Sequence, residues 1–490
     1  MFKNLNHIFY TKIFIFLSWI ALWVSINSMP GELLYMNENI ITFINGSRTI
    51  NAMIFSSLSI IIALFYFSKN KGNVNSISLL LLIFSIHFIS QLIGLLLNPE
   101  RSFLDINNIY LILYSLGALS ILYIIKNLNL DDLLPYLMNF IFFILTILVI
   151  FVIFNNREFI PDLINQKNLY YLIHPDVPIN FQAQPRITGF SRTISIINIF
   201  LILHYLLNHK RIYSYLYFFP IFILSVIIWL SQSRGTIICF YFSSFLLIFF
   251  FNNLSLLKRI FVFVLISFFS ISTANFISNY KSISNKIKNV DKYSSSNNNL
   301  DTKSPDSRSP DSRSPDSKNL ENKLENIKEK DEEALVLIFN IQDSRFFTQK
   351  NTSGRTELWK RSLKNYDKKT IFGYGPQADR IILFEEINKY GNNVSNGFLY
   401  SLLSGGYPSL ISITLIYLYS IYLFFEHFVK RKNFILTKKN KFYVISIIFC
   451  VFFMTRSIIE NSFTLFSIDF LITILSMFII ERFKNNRIVN

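Results

Sequence analysis

The sequence predicts an all-α, polytopic membrane protein with about 12 transmembrane helices and a large outer-face loop between helices 9 and 10. Three observations carry that prediction. Hydrophobic residues make up 52% of the 490-residue chain and charged residues 16%, against about 25% charged in a soluble domain. Apolar stretches of about 16–28 residues, enough to cross ~30 Å of hydrocarbon, recur along its length. The short connecting loops then alternate between basic and nearly lysine-free, as the loops of a multi-pass protein do.

The first stretch, 11–28, follows Lys3 and Lys12 and lacks a convincing small-residue cleavage site, so it reads as a span and not a signal peptide. Spans at 52–67, 76–97, 108–126 and 135–154 come next, then 191–208, 212–230, 235–251 and 260–278. After a long interruption the chain ends with spans at 398–425, 442–459 and 462–480. Basic residues fall in alternate loops: Lys3 and Lys12, Lys69 and Lys71, Lys126, Lys210 and Arg211, Lys258 and Arg259. Lys430, Arg431, Lys432, Lys438, Lys439 and Lys441 continue the set, and Arg482, Lys484 and Arg487 end it. The positive-inside rule therefore predicts a cell-membrane protein with both termini cytoplasmic and 279–397 outside. Four segments follow: a membrane domain 1–278, a low-complexity loop 279–350, an ordered loop 351–397 and a membrane domain 398–490.

The stretch "SVIIWLSQSRGTIICFYFSSFLLIFFF" (225–251) places Arg234 within hydrocarbon. An arginine at the centre of a membrane helix costs about 2.5–3.5 kcal/mol on insertion scales. Two helices meeting at "SQSRG" avoid that cost and preserve the alternation of basic loops. Arg234 is thus expected in an outer-face turn beside Gly235. Arg186, Arg192 and Arg456 fall at the same face, and Arg355 and Arg361 lie in the outer loop. Cations kept where the positive-inside trend disfavours them suggest an anion to hold. Nine of the fourteen glycines fall between Gly189 and Gly406, and Gly189, Gly235 and Gly354 stand close to these arginines, where glycine permits sharp turns and close approach.

Other classes are disfavoured. The net charge of +17 is accounted for by cytoplasmic loops and does not call for nucleic acid. Cys239 and Cys450 sit inside apolar runs and cannot build a disulfide framework. No metal-ligand spacing and no glycine-rich nucleotide loop occurs, so no cofactor is expected. A transporter would place ionisable groups near the midplane; Asp469 is the one obvious mid-span acid, and the halves do not repeat.

The outer loop divides in two. "SPDSRSPDSRSPDSK" (304–318) repeats a pentapeptide whose prolines forbid helix and whose side chains bury nothing, which predicts a spacer without fixed structure. In "NTSGRTELWKRSLKNYDKKTIFGYGPQADRI" (351–381), Thr352 or Ser353 can cap a helix running to about Tyr366. Arg355 and Trp359 share a face of that helix with Ser362 and Leu363. A long loop carrying an ordered Arg/Trp/Gly segment is usually functional.

In order along the chain, "RITGFSRTISIINIF" (186–200), "SQSRGTIICFYF" (231–242), "SGRTELWKRSLKNYDKKTIFGYGP" (353–376), "SNGFLYSLLSGGYPSLI" (395–411) and, more loosely, "RSIIENSF" (456–463) resemble the O-antigen polymerase and ligase family of integral membrane glycan enzymes. The resemblance implies a polymerase that transfers a glycan chain from a polyprenyl-pyrophosphate donor to a lipid-linked repeat unit. Arg186, Arg234 and Arg355 correspond to the family's catalytic arginines. Gly189, Arg192, Gly235, Trp359, Arg361, Asn396, Gly397, Arg456 and Glu460 are expected on the substrate. The implied partners are the lipid-linked oligosaccharide, membrane lipids, and a flippase and chain-length regulator of the same pathway. Ligases of the family carry His-Asn where this chain has Ser395-Asn396, which favours the polymerase and leaves the acceptor-activating group unassigned. Glu357, Glu385, Glu386, Glu460 and His174 are the candidate bases. Glu460 follows Arg456 by four residues, and that spacing predicts an ion pair between them. His87, His204 and His427 are expected to lie in helices without partners.

Overall fold

In the computed structural model the chain is described over residues 2–25, 38–69, 79–98, 106–155, 187–209, 212–231, 233–250, 254–276, 355–366, 370–379, 394–426, 436–460 and 467–488. Among them there are 13 helices and no strand. The first five are α1 (Phe2–Val24), α2 (Glu38–Lys69), α3 (Leu79–Leu97), α4 (Ile106–Asn127) and α5 (Leu134–Asn155). Then come α6 (Ile187–Asn208), α7 (Phe218–Leu230), α8 (Arg234–Phe250) and α9 (Leu256–Val264, continued by a π-turn at Leu265–Phe269). The short α10 (Arg355–Asn365) precedes α11 (Gly397–Phe424), α12 (Lys441–Ser457) and α13 (Ile468–Ile488).

All helices but α10 answer to an expected span, with shifted ends. Seven are long and apolar enough to cross a membrane, and 8–24, 214–230 and 234–250 are shorter apolar helices. Their outward side chains are apolar too: Leu257 is 79% exposed and Phe219 72%, surface that only lipid would cover cheaply. The chain is a multi-pass integral membrane protein. Arg234 is indeed the first residue of α8, after a break that follows Leu230. The run 212–230 is not one helix: Ile212–Tyr217 form a 3-10 turn, and Pro220 sits in the first turn of α7, where its missing N–H is not needed.

The α12–α13 hairpin is the centre. α12 is apolar on every side and is enclosed accordingly, packing on α6, α8 and α11, while α13 packs on α4 and α5. The expected last span, 462–480, starts too early. Ser467 accepts the Phe470 amide on its Oγ (3.1 Å) and the Leu471 amide on its carbonyl (3.2 Å), so the helix begins at Ile468. Asp469 therefore stands in the first turn, at the end of the bundle, and not at mid-span. The hairpin thus has a charged end at Arg456 and Asp469. At its other end Tyr443 stacks on Phe483, Arg482 pairs with Asp131, and Lys12 pairs with Asp132 at 2.5 Å.

α3 runs along α11, which breaks at Gly406 (φ 66°, ψ −156°) ahead of Pro408. Segment 370–379 fills that break. Tyr374 and Gly375 donate their amides to the carbonyls of Leu403 and Ser404, and Tyr407 donates to Ile371, each at 2.9 Å. Asn98 at the end of α3 donates to the Gly373 carbonyl at 2.8 Å. Backbone groups freed by the break are thereby satisfied by protein, as they must be away from water. One turn deeper, His87 Nδ1 lies 2.6 Å from Ser409 Oγ and its Nε2 3.2 Å from Gln91, which also accepts from Tyr400. His87 thus has partners on both nitrogens, contrary to expectation, because α3 and α11 face each other with polar residues. His204 stacks between Phe200 and Tyr217; His427 lies outside the described residues.

Candidate functional site: an arginine cluster at one end of the bundle

Arg456, in the last turn of α12, donates from Nη1 to Asp469 Oδ2 at 2.5 Å. Arg192, near the start of α6, brings Nη1 within 3.0 Å of the other oxygen, Oδ1, as an ion pair. The carboxylate is 0% exposed and the Arg456 side chain 4%. A buried charge is tolerated only when paired, and here one aspartate faces two guanidinium groups, leaving positive charge in excess. The helix dipoles agree with the arrangement, since Asp469 sits at an N-terminus and Arg456 at a C-terminus.

The expected Arg456–Glu460 pair does not form. α12 ends at Ser457, so the spacing of four residues no longer places both side chains on one helical face. Glu460 closes the turn instead through its amide, which donates to the Arg456 carbonyl at 2.8 Å. Its carboxylate turns to α10, where Arg355 Nη2 stands 2.7 Å from Oε1. The same turn packs on the start of α8: a side chain at Gly235 would meet Ile459 Cδ1 at 2.6 Å, and Glu460 Cγ lies 3.9 Å from that point. A larger residue at Gly235 would have to push the tip of Ile459 aside. The Ile237 amide donates to the Ser233 carbonyl just before α8 at 2.9 Å, so the positive end of the helix dipole lies at this turn.

The chain preceding α11 joins the same turn. Asn396 caps α11, accepting from the amides of Phe398 and Leu399 at 3.0 Å on Oδ1, while its Nδ2 donates to the Ile458 carbonyl at 2.8 Å. Gly397 follows as the first, buried residue of α11. Trp359 on α10 donates from Nε1 to the Val394 carbonyl at 2.8 Å, and the Val394 amide donates to Asp379 at 3.1 Å. Segment 370–379 is itself docked in the α11 break, so α10 is held by a continuous set of bonds. Ser362 lies on the buried face of α10; Leu363, expected with it, is half exposed because the helix rotates it outward.

Of the residues expected from sequence, the structure brings Arg192, Arg234, Gly235, Arg355, Asn396, Gly397, Arg456 and Glu460 to one end of the bundle. Trp359 supports that group through Val394. Arg361 is half buried on α10, and Gly189 lies one turn before Arg192, its outward position 3.9 Å from Arg192 Nη2. Arg186, His174, Glu385 and Glu386 are outside the described residues, as is the side chain of Glu357. Asp469 was missed as a site residue. Its proximity to Arg456 in sequence, 13 positions away across one turn, was the available signal.

With the geometry in place, comparison with known proteins adds one finding. Residues 219–414 match the protein-family model described as O-antigen ligase. No curated protein and no solved structure matches the chain. The matched segment contains Arg234, Arg355 and Asn396 and stops short of Arg192, Arg456, Glu460 and Asp469. Ion pairs and the Asn396 bond tie those outlying residues to it.

Proposed function

We propose that this chain is a membrane glycan enzyme of the O-antigen polymerase/ligase kind, a reading that the match of residues 219–414 supports, and that it is a polysaccharide polymerase working on lipid-diphosphate-linked glycans at the outer face of the cell membrane. The observation that carries the reading is the convergence of Arg192, Arg234, Arg355 and Arg456 against only two described carboxylates, Asp469 and Glu460. A sugar diphosphate is already a good leaving group. The protein's task is to hold it and to neutralise the charge that grows on it as the glycosidic bond breaks. Guanidinium groups suit this because they stay protonated and offer two parallel donors to a phosphate. Held rigidly in a site screened from water, such donors are often the largest catalytic contribution. Arg192 and Arg456 are locked on Asp469 and set the field; Arg234 and Arg355, less enclosed, are the ones placed to touch phosphate. Arg186, just before α6, belongs to the same proposal.

The proposed orientation, with both termini in the cytoplasm, is supported by the basic residues gathered at the opposite end of the bundle, which the positive-inside rule favours on the cytoplasmic side. The description of the matched family favours a second reading, a ligase that passes the glycan to a lipid acceptor. Ser395 in place of histidine favours the polymerase. Purified protein supplied with lipid-diphosphate repeat units alone should form a ladder of products. Products that appear only when a second lipid acceptor is added would establish the ligase instead, and no transfer to either would overturn both.

A further inference from the structure

Glycan transfer to an acceptor hydroxyl releases a proton, and an arginine cluster has no group to receive it. Ser395 offers only a weakly basic hydroxyl. Two carboxylates stand at the described site. Asp469 is fully enclosed with both oxygens against guanidinium groups, which leaves it no access to an acceptor. Glu460 differs in each respect. Its side chain is 14% exposed, and its partner Arg355 is itself 28% exposed. Oε1 is committed to Arg355, while Oε2 has no hydrogen-bond partner among the described residues. It sits in the turn after α12, against Gly235 at the start of α8, and is paired with Arg355 on α10. His87 and Asp379 are nearly fully enclosed and already engaged elsewhere.

We infer that Glu460 is the general base of the transfer and that donor binding releases it for that role. This rests on the diphosphate reading of the preceding subsection. In the resting site Arg355 occupies Oε1 of Glu460 at 2.7 Å. A diphosphate carries more charge than a carboxylate and competes for the same guanidinium. When Arg355 turns its donors to the phosphate, the Glu460 carboxylate is left without that partner beside an incoming sugar and is free to accept a proton. The acceptor oxygen then forms its bond to the anomeric carbon as the bond from that carbon to the phosphate oxygen breaks. The hydroxyl proton passes to Glu460, the electron pair leaves on the diphosphate held by the arginines, and the exposed carboxyl returns its proton to water. Base activation is in this way tied to the presence of donor, which disfavours proton uptake in an empty site.

The test uses the full chain in detergent with lipid-diphosphate repeat units. Glu460→Gln keeps an oxygen to accept from Arg355 but cannot take a proton, so it separates basicity from positioning. It should lower kcat by about 100- to 10,000-fold, the usual worth of a general base, and leave the donor KM within about threefold of wild type. The acid limb of the kcat–pH profile should vanish with it, and Glu460→Asp should retain that limb at reduced rate. A Gln variant that turns over normally, or one that raises KM while keeping the acid limb, would make Glu460 a positioning partner of Arg355 and overturn the inference. Arg234→Ala in the same assay reports on the diphosphate reading separately. An inactive Arg234 variant beside an active Gln variant sinks the base and leaves the proposed function standing.

Discussion

Asp469 and Arg456 meet at 2.5 Å across the turn between α12 and α13, inside a bundle whose surface is apolar. The pair is the structural half of the arginine cluster, because the same carboxylate also holds Arg192 on α6. Arginine charge is concentrated at one end of the bundle, and the most enclosed part of it is made tolerable by this one aspartate.

Asp469→Ala is therefore expected to be among the more damaging substitutions in the protein. It strips the counter-charge from two buried guanidinium groups, and breaking a buried ion pair from one side costs about 3–5 kcal/mol. Thermal unfolding in detergent should show a large loss of stability. Adding Arg456→Met to Asp469→Ala should recover part of it, since fewer uncompensated charges remain. A single variant as stable as wild type would mean that water reaches this site freely.

Arg355 and Glu460 should behave in the opposite way. The pair is partly exposed, and such pairs contribute about 0–1 kcal/mol to stability. Arg355→Ala should melt close to wild type and yet lose about 100- to 1000-fold in transfer rate, the usual cost of removing one donor to a developing anion. Parallel losses of stability and rate would instead assign Arg355 to packing α10 on the bundle.

The break in α11 predicts a third dissociation. Gly406 has ψ −156° at φ 66°, a region almost restricted to glycine, and an added Cβ would lie 1.9 Å from the Ile371 carbonyl oxygen. Gly406→Ala should expel segment 370–379 from the break, because the helix can re-form only if the loop leaves. Limited proteolysis near Tyr374 should then become fast, while the α12–α13 hairpin remains protected. Unchanged protection at Tyr374 would show that the loop docks without the break.

What sequence alone could show divides along physical lines. The spans were legible because hydrocarbon imposes length and apolarity on them. The break before Arg234 was legible too, since a single helix there would have inverted every basic loop downstream. Asp469 was misplaced because the apolar run begins at residue 462, and the Ser467 bonds that start the helix later leave no mark in hydropathy. The partner of Glu460 was misassigned because the spacing rule assumes a continuing helix, and α12 had already ended. Arg355 meets Glu460 from 105 residues away, a relationship that no local pattern encodes. The docking of Tyr374 and Gly375 on the broken helix is made by backbone groups, so only the glycines hinted at it.

Orientation is open to a direct check. Lys439 and Arg456 flank α12 from opposite ends, and the repeat tract lies on the loop that leads into α10. Single cysteines at Ser307 and Lys439, in a chain with Cys239 and Cys450 replaced, should be labelled from opposite faces by a membrane-impermeant reagent. Ser307 is expected outside. Labelling of both from one side would overturn the topology and move the arginine cluster to the cytoplasm, away from any exported glycan.

Arg234 gives the sharpest test of the site. It begins α8 beside Gly235, with the positive end of the helix dipole behind it and the Glu460 turn packed against it. A residue that merely ended a helix would tolerate lysine, which also prefers a membrane interface. A residue that clamps a diphosphate would not, because an ammonium is a point charge and cannot make the planar two-pronged contact. Arg234→Lys should therefore fail nearly as badly as Arg234→Ala, each losing about 100- to 1000-fold in rate, with melting temperatures close to wild type. The two variants and the wild-type protein should be compared on the same lipid-diphosphate repeat unit, scoring ladder length against time. If lysine restores polymerisation while alanine abolishes it, the site needs only a positive charge. If alanine itself polymerises at near wild-type rate, the guanidinium is structural and the reaction takes place elsewhere on the protein.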